Sequence, residues 1–201
     1  MAIDMYLYSS NLINLDDFNE SDFSIEDIAH SLSNQCRFAG HTKKFYSVAQ
    51  HSLIVSWLAT KYARNFPELK KSDIKGIGFH ALMHDAHEAF IGDIPTPGSI
   101  LIDSYSENKY VKRCINDTKK YLDEIIFEKF GIQKNIYSDI IIKDADEWAC
   151  NIELFSFFGA VNYFRRTDFS ADDAIVDIYS PKKAKKLFIN ECAKYGVIIK
   201  S

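Results

Sequence analysis

His84 and Asp85 stand side by side in a segment, residues 80–97, that also carries His80, His87, Glu88 and Asp93. An imidazole and a carboxylate placed next to each other in an apolar helical pattern are costly to bury unless a charge lies between them. A divalent cation meets that need, since neutral ring nitrogen and anionic oxygen are both ligands for it. Two more candidate ligands, His51 and Asp146, lie on separate helical segments before and after. Taken singly, each has a plainer reading. His51 would be a satisfied core histidine, His84 and Asp85 a buried ion pair, and Asp146 a surface or capping residue. Together they predict convergence of two nitrogens and two carboxylates on one ion. Such a set suits Mn, Fe, Co, Ni or Zn, tolerates Mg, and leaves positions for water.

Glu88 lies four residues past His84 and three past Asp85, so it shares their helix face. It is the candidate general base or acid for water at the ion, with orientation of a ligand as the alternative. Asp93 follows Gly92, where the helix should end. It is assigned to the catalytic network or to a substrate hydroxyl, with turn capping as the competing role. His80 is expected to be packed or water-facing. His87, nearer the open end, could touch a phosphate. His30 and His41 carry no comparable constellation.

The elements that must position these groups are helical nearly throughout, so the fold class is all-α. Ser24 can cap a helix that begins at Ile25. A second stripe runs Val48, Ser52, Val55, Ala59, Tyr62 and stops before Pro67. A third runs Ile74, Ile77, Ala81, then His84 and Glu88, to Gly92 and a turn at Pro95 and Pro97. Tyr110 to Phe130 reads as a long amphipathic helix closed by Gly131. Another extends from Asp139 to about Phe164. Ser180 and Pro181 open a last helix that Gly196 ends. Only the tail Val197, Ile198, Ile199 tempts as a strand.

The chain has 201 residues, 47% hydrophobic and 26% charged, which predicts one ordinary domain over residues 1–201. Net charge is -4 with no basic block, so a nucleic-acid polymer is disfavoured as partner. A small anionic substrate needs only a local basic pocket. Cys36, Cys114, Cys150 and Cys192 form neither a metal knuckle nor a disulfide framework, and are expected as reduced core thiols. No apolar run is long enough for a bilayer and no signal pattern opens the chain, so the cytoplasm is the expected location.

With these residues assembled, the chain resembles the HD-domain phosphohydrolase superfamily. More narrowly it is similar to bacterial HD-domain 5'-deoxynucleotidases and to phage-type HD phosphohydrolases that include dATP triphosphohydrolases. The likeness rests on residues 26–33, 37–42, 45–52, 80–97, 143–146 and the ending 180–188. It implies an all-helical HD-domain bundle with His51, His84, Asp85 and Asp146 on a divalent metal. Asp144 competes with Asp146, and the match to the family's Ala-Asp pair favours Asp146. Glu88 and Asp93 fall on the family's catalytic and substrate positions. Arg37 falls on an arginine that contacts phosphate, and Phe38 on an aromatic near the sugar, unless it is a core residue. Related chains carry a lysine after the Thr-Pro turn where Gly98 and Ser99 stand here, so a phosphate contact from that place is not expected unless Lys43, Lys44, Lys109 or Lys112 substitutes.

The resemblance implies a metal-dependent enzyme of a bacterial cell or phage-infected host. It would cleave the 5'-phosphate ester of a small (deoxy)nucleotide, converting dNTP to deoxynucleoside and triphosphate, or dNMP to deoxynucleoside and phosphate. An alarmone hydrolase would carry an acidic pair where Glu88 and Ala89 supply one acid. A cyclic-nucleotide phosphodiesterase would offer more ligands. The contrasting class is a nucleotide sensor or interaction domain without catalysis. Homo-oligomers are expected from the resemblance alone, with Tyr163 and Phe164 as candidate interface aromatics.

Overall fold

The first helix is fixed by its cap. Ser24 Oγ accepts from the Asp27 N–H at 3.2 Å while the Asp27 carboxylate accepts from the Ser24 N–H at 2.9 Å. This reciprocal box satisfies two donors that a helix start would leave orphaned, and is worth roughly 1 kcal/mol. The structure, a computed structural model, describes residues 3–107, 109–159 and 176–198. Its helices are α1 (Ile25–Asn34), α2 (Val48–Ala63), α3 (Lys71–Leu82), α4 (Glu88–Ile91), α5 (Thr96–Tyr105), α6 (Val111–Phe130), α7 (Ser138–Phe158) and α8 (Pro181–Lys194). A short antiparallel hairpin, β1 (Asp4–Tyr6) and β2 (Leu12–Asn14), precedes them. The all-α class read from the periodicity holds.

Helix α2 is the spine. Ser47 caps it by accepting from the Gln50 N–H, and it packs on α3, α7, α8 and α1. Val48 and Ala49 join a core with Ile28, Leu32, Leu82, Met83 and Phe188. Val55, Leu58 and Ala59 join a second with Ile77, Ile141 and Ala145. Each large apolar side chain so buried contributes roughly 1.5–3 kcal/mol. His51, fully buried, falls between the two sets along α2, held on both sides by packing.

Three expectations about the helices are corrected. The third helix does not run on to Gly92 but stops at Leu82. The Met83 N–H is shared between the Phe79 and His80 carbonyls, which tightens the last turn. From there the Ala86, Glu88, Ala89 and Phe90 N–H groups each bond three residues back, at 3.0–3.1 Å. The local period is therefore three, and His84 and Asp85 sit in a turn rather than on a helix face. Asp85 and Glu88 share a side through that period; the helical argument for His84 and Glu88 fails.

The second correction concerns Thr96 to Tyr105, read as a turn but helical. Pro97 lies in its first turn, where the missing N–H costs nothing. The third is that α7 closes at Gly159 (φ 66°), a left-handed stop short of Phe164. Phe164 and Tyr163 lie outside the described residues. Strand residues at β1 and β2 are too few to show alternation, while Val197 and Ile198 form no strand. Of the four free cysteines only Cys192 is a core thiol. Cys36 and Cys150 are half-buried and Cys114 is exposed.

Candidate metal centre

Four side chains from three parts of the fold meet at one place. His51 comes from α2, His84 and Asp85 from the turn after α3, and Asp146 from α7. His51 Nε2 lies 3.0 Å from Asp146 Oδ1 and 3.7 Å from Asp85 Oδ2. His84 Nε2 lies 3.1 Å from Asp85 Oδ2 and 3.9 Å from Asp146 Oδ1. Ligands about 2.0–2.2 Å from a shared cation stand about 3.0–3.5 Å apart when adjacent and about 4.2 Å when opposite. These four distances, 3.0–3.9 Å, fall within that span. Both Nε2 atoms are buried and lack a hydrogen-bond partner. Buried ring nitrogens flanked by carboxylates fit a divalent ion between them. Asp146, not Asp144, is the carboxylate that reaches the two imidazoles.

The other ring nitrogens are tied down. His84 Nδ1 donates to the Ala81 carbonyl at 2.8 Å. His51 Nδ1 lies 2.7 Å from Glu153 Oε1, which also accepts from the Tyr46 hydroxyl at 2.7 Å. Arg37 Nε donates to the second oxygen of Glu153 at 3.2 Å, and its Nη1 faces Asp85 Oδ2 at 3.9 Å. Donation from Nδ1 leaves the Nε2 lone pair for an ion. Glu153, fully buried behind His51, is a part of this site that the sequence reading missed. It lies seven residues, two helical turns, past Asp146, so helix-face spacing could have singled it out.

The charges are unbalanced in a consistent direction. Burial disfavours a proton on His84, yet the adjacent Asp85 and Asp146 carboxylates push its pKa up to about 9. Burial and Arg37 act the same way on His51, and Glu153 and Asp146 outweigh them to raise it. Burial alone would raise Asp85, Asp146 and Glu153. The histidines hold all three below the usual carboxylate range, with Arg37 helping at Asp85 and Glu153. Burial opposes the Arg37 charge, and Glu153 and Asp85 retain it. Protons on the two imidazoles thus occupy the place a cation would take.

Around this core the remaining candidates separate. Glu88 is buried, and burial with Asp85 and Asp93 pushes its carboxyl up to about 9 against the opposing Lys119, 3.7 Å away. Lys119 was not foreseen; Lys43, Lys44, Lys109 and Lys112 are all exposed, and the described structure gives none a contact with these groups. Asp93 is half-buried, its N–H donating to Gln35 Oε1 at 3.1 Å, and burial and Asp85 raise its pKa. Gln35 also donates to the Glu88 carbonyl at 2.8 Å, so the end of α1 clamps the 88–93 segment. His87 is buried with Nδ1 on Asp123 at 2.8 Å. His80 is packed edge-on against Phe127, with ring centroids 4.9 Å apart. Phe38 stands beside Arg37 and packs edge-on against Phe157 and Phe158.

The HD domain family matches residues 29–131, half of the chain. The chain belongs to the HD domain family. HD domains bind divalent metals and are generally metal-dependent hydrolases. The matched segment holds Arg37, His51, His84, Asp85, Glu88 and Asp93, whereas Asp146 and Glu153 lie beyond it. Over 135 residues the chain is 38% identical to YfdR, an uncharacterized protein of Escherichia coli K12, covering 63% of this chain and 61% of YfdR. Over 97 residues it is 40% identical to the uncharacterized protein RCAP_rcc00048 of Rhodobacter capsulatus, covering 45% of this chain and 44% of that one. The chain therefore spans less than two thirds of the length of either relative. Among the described residues of this HD-domain chain, no helix is long and apolar enough to cross a membrane.

Proposed function

We propose that this chain is a divalent-metal-dependent phosphohydrolase that cleaves the 5'-phosphate ester of a small (deoxy)nucleotide. The observation that carries the reading is the pair of buried, unpartnered Nε2 atoms of His51 and His84, set against carboxylates of Asp85 and Asp146. Membership of the HD domain family and the motif likeness of residues 26–33, 37–42, 45–52, 80–97 and 143–146 support it. A cation bound there, Mn, Co, Zn, Fe, Ni or Mg, supplies Lewis acidity and brings the pKa of water toward neutrality.

The protein's own groups do the rest. His51, His84, Asp85 and Asp146 hold and orient the site. Arg37, fixed by Glu153, places a permanent positive charge beside Asp85 where a phosphoryl group would accumulate negative charge. Water attacks the α-phosphorus, the bond from phosphorus to the 5'-oxygen breaks, and Glu88 carries a proton to the leaving oxygen. Asp93, at the clamped end of the same segment, contacts the substrate hydroxyl or supports that transfer. Phe38, beside Arg37, would crowd a 2'-hydroxyl and favour deoxyribose.

The test is a panel of dNMPs and dNTPs with Mn, Co and Mg, read by product chromatography. Nucleoside with phosphate identifies a monophosphate substrate, and nucleoside with triphosphate identifies a triphosphate. Nucleotide that is bound tightly but never cleaved would overturn hydrolysis and leave a sensor.

A further inference from the structure

A second set of ligating atoms adjoins the first. Asp85, His87 and Glu88 each offer one atom, all within 4.8 Å of one another. We propose that these three residues form a second divalent-cation site that shares Asp85 with the first. The proposal rests on the metal-centre reading above and extends it to a pair of ions.

Two independent observations point at a ligand. His87 Nε2 and Glu88 Oε2 are buried, in residues each 4% exposed, and neither has a hydrogen-bond partner. Leaving such groups buried and unpaired is costly. His87 is also prepared as a ligand: Nδ1 donates to Asp123 Oδ1 at 2.8 Å, which leaves the Nε2 lone pair available. The backbone brings the set together. The Glu88 N–H bonds the Asp85 carbonyl at 3.0 Å, so residues 85 and 88 recur on one side of a three-residue period.

Charge decides between a cation and an anion. Asp85, Glu88 and Asp123 surround His87, with Asp93 acting on Glu88 electrostatically. The opposing cations are Lys119, 3.7 Å from Glu88 Oε1, and Arg37, 3.9 Å from Asp85 Oδ2 and already committed to Glu153. A phosphate laid directly on His87 would meet these carboxylates. A cation on one nitrogen and two carboxylate oxygens removes the conflict. Its remaining positions suit the phosphate oxygens of the nucleotide. Ligation through Oε2 leaves Oε1 of Glu88 for proton transfer.

The test is a Mn2+ titration of the metal-stripped chain, with bound metal measured by elemental analysis and the spin state by electron paramagnetic resonance. Two ions per chain are expected, giving the broadened spectrum of a carboxylate-bridged pair. His87→Ala should bind one and show the spectrum of an isolated ion. Asp123→Asn, which preserves side-chain shape, should weaken only the second ion, by ~10–100-fold. Saturation of the wild type at one isolated ion overturns the second site and spares the first. Two ions retained in both variants also overturns it. No tightly held Mn2+ in the wild type overturns the metal-centre reading itself.

Discussion

Glu153 Oε1 lies 2.7 Å from His51 Nδ1, and the far nitrogen of the same ring faces Asp146 at 3.0 Å. One buried carboxylate thus sets which end of His51 carries the proton and which end is free for an ion. Glu153→Gln keeps the shape but removes the charge that favours donation from Nδ1. Metal affinity should fall by ~10–100-fold, the usual effect of losing a partner behind a ligand. Competition against a chelator measures it. Tyr46→Phe removes one hydrogen bond to the same oxygen and should have the smaller effect. Unchanged affinity in Glu153→Gln would show that His51 needs no such orientation.

Acidity gives a prediction with a definite sign. In metal-free protein His84 holds its proton up to about 9, against 6.5 when free. That contribution to stability is fully present below pH 6.5 and is lost as pH rises through about 9. Glu88 acts in the same direction, since its carboxyl stays neutral in the fold to about 9 but ionises near 4.5 when free. Asp85 is depressed, so its contribution is lost only in acid, below its free value of 3.8. The metal-free chain should therefore lose Tm, by at least ~3 °C, between pH 6.5 and 9. Metal affinity should rise over the same window, because binding displaces protons from the histidines. Thermal melts with and without chelator check both, and a metal-free Tm that climbs with pH would contradict the assignment.

Much of the candidate site was legible because its residues are types that can hold a metal, with His51 and Asp146 on strongly periodic helices. His51 follows from the α2 stripe, and Asp146 from α7, once a shared ion is supposed. The caps at Ser24 and Ser180 and the stops at Gly131 and Gly196 were also readable. What escaped depends on local geometry or on distance along the chain. The break at Met83 is a backbone hydrogen-bond choice with no glycine or proline to mark it. Glu153, Lys119 and Asp123 sit on helices, and Gln35 at the end of one, whose mutual approach is set by packing. Each looks like an ordinary polar surface residue until α7, α6 or α1 closes on the turn.

Glu88 and Asp85 are one three-residue period apart, yet their replacements should differ. Asp85→Ala removes an oxygen 3.1 Å from His84 Nε2 and 3.7 Å from His51 Nε2, and should abolish metal retention. Glu88→Ala leaves all four ligands of the first ion in place. It should keep that ion while slowing hydrolysis by ~10²-fold or more, the scale of acid–base assistance. Metal content and turnover on the same samples separate the two effects. Full activity in Glu88→Ala would remove it from the reaction.

The turn that follows Arg37 carries strain that can be relieved without touching the site. Phe38 (φ 55°) and Ala39 (φ 50°, ψ 29°) are both left-handed, and Gly40 (φ 77°) follows. The Gly40 and His41 N–H groups close the turn on the Arg37 and Phe38 carbonyls, at 3.1 and 3.0 Å. A left-handed L-residue costs about 1–2 kcal/mol. Ala39 is exposed, so nothing is lost by trimming its methyl group. Glycine returns roughly 0.5–1 kcal/mol of that gain as extra freedom in the unfolded chain. Ala39→Gly should therefore stabilise by ~0.5–1 kcal/mol, read as a rise in the urea midpoint with unchanged slope. Phe38 would gain the same relief but lose its edge contacts with Phe157 and Phe158, so Phe38→Gly should destabilise. A lower midpoint in Ala39→Gly would mean the turn does not hold residue 39 left-handed in solution.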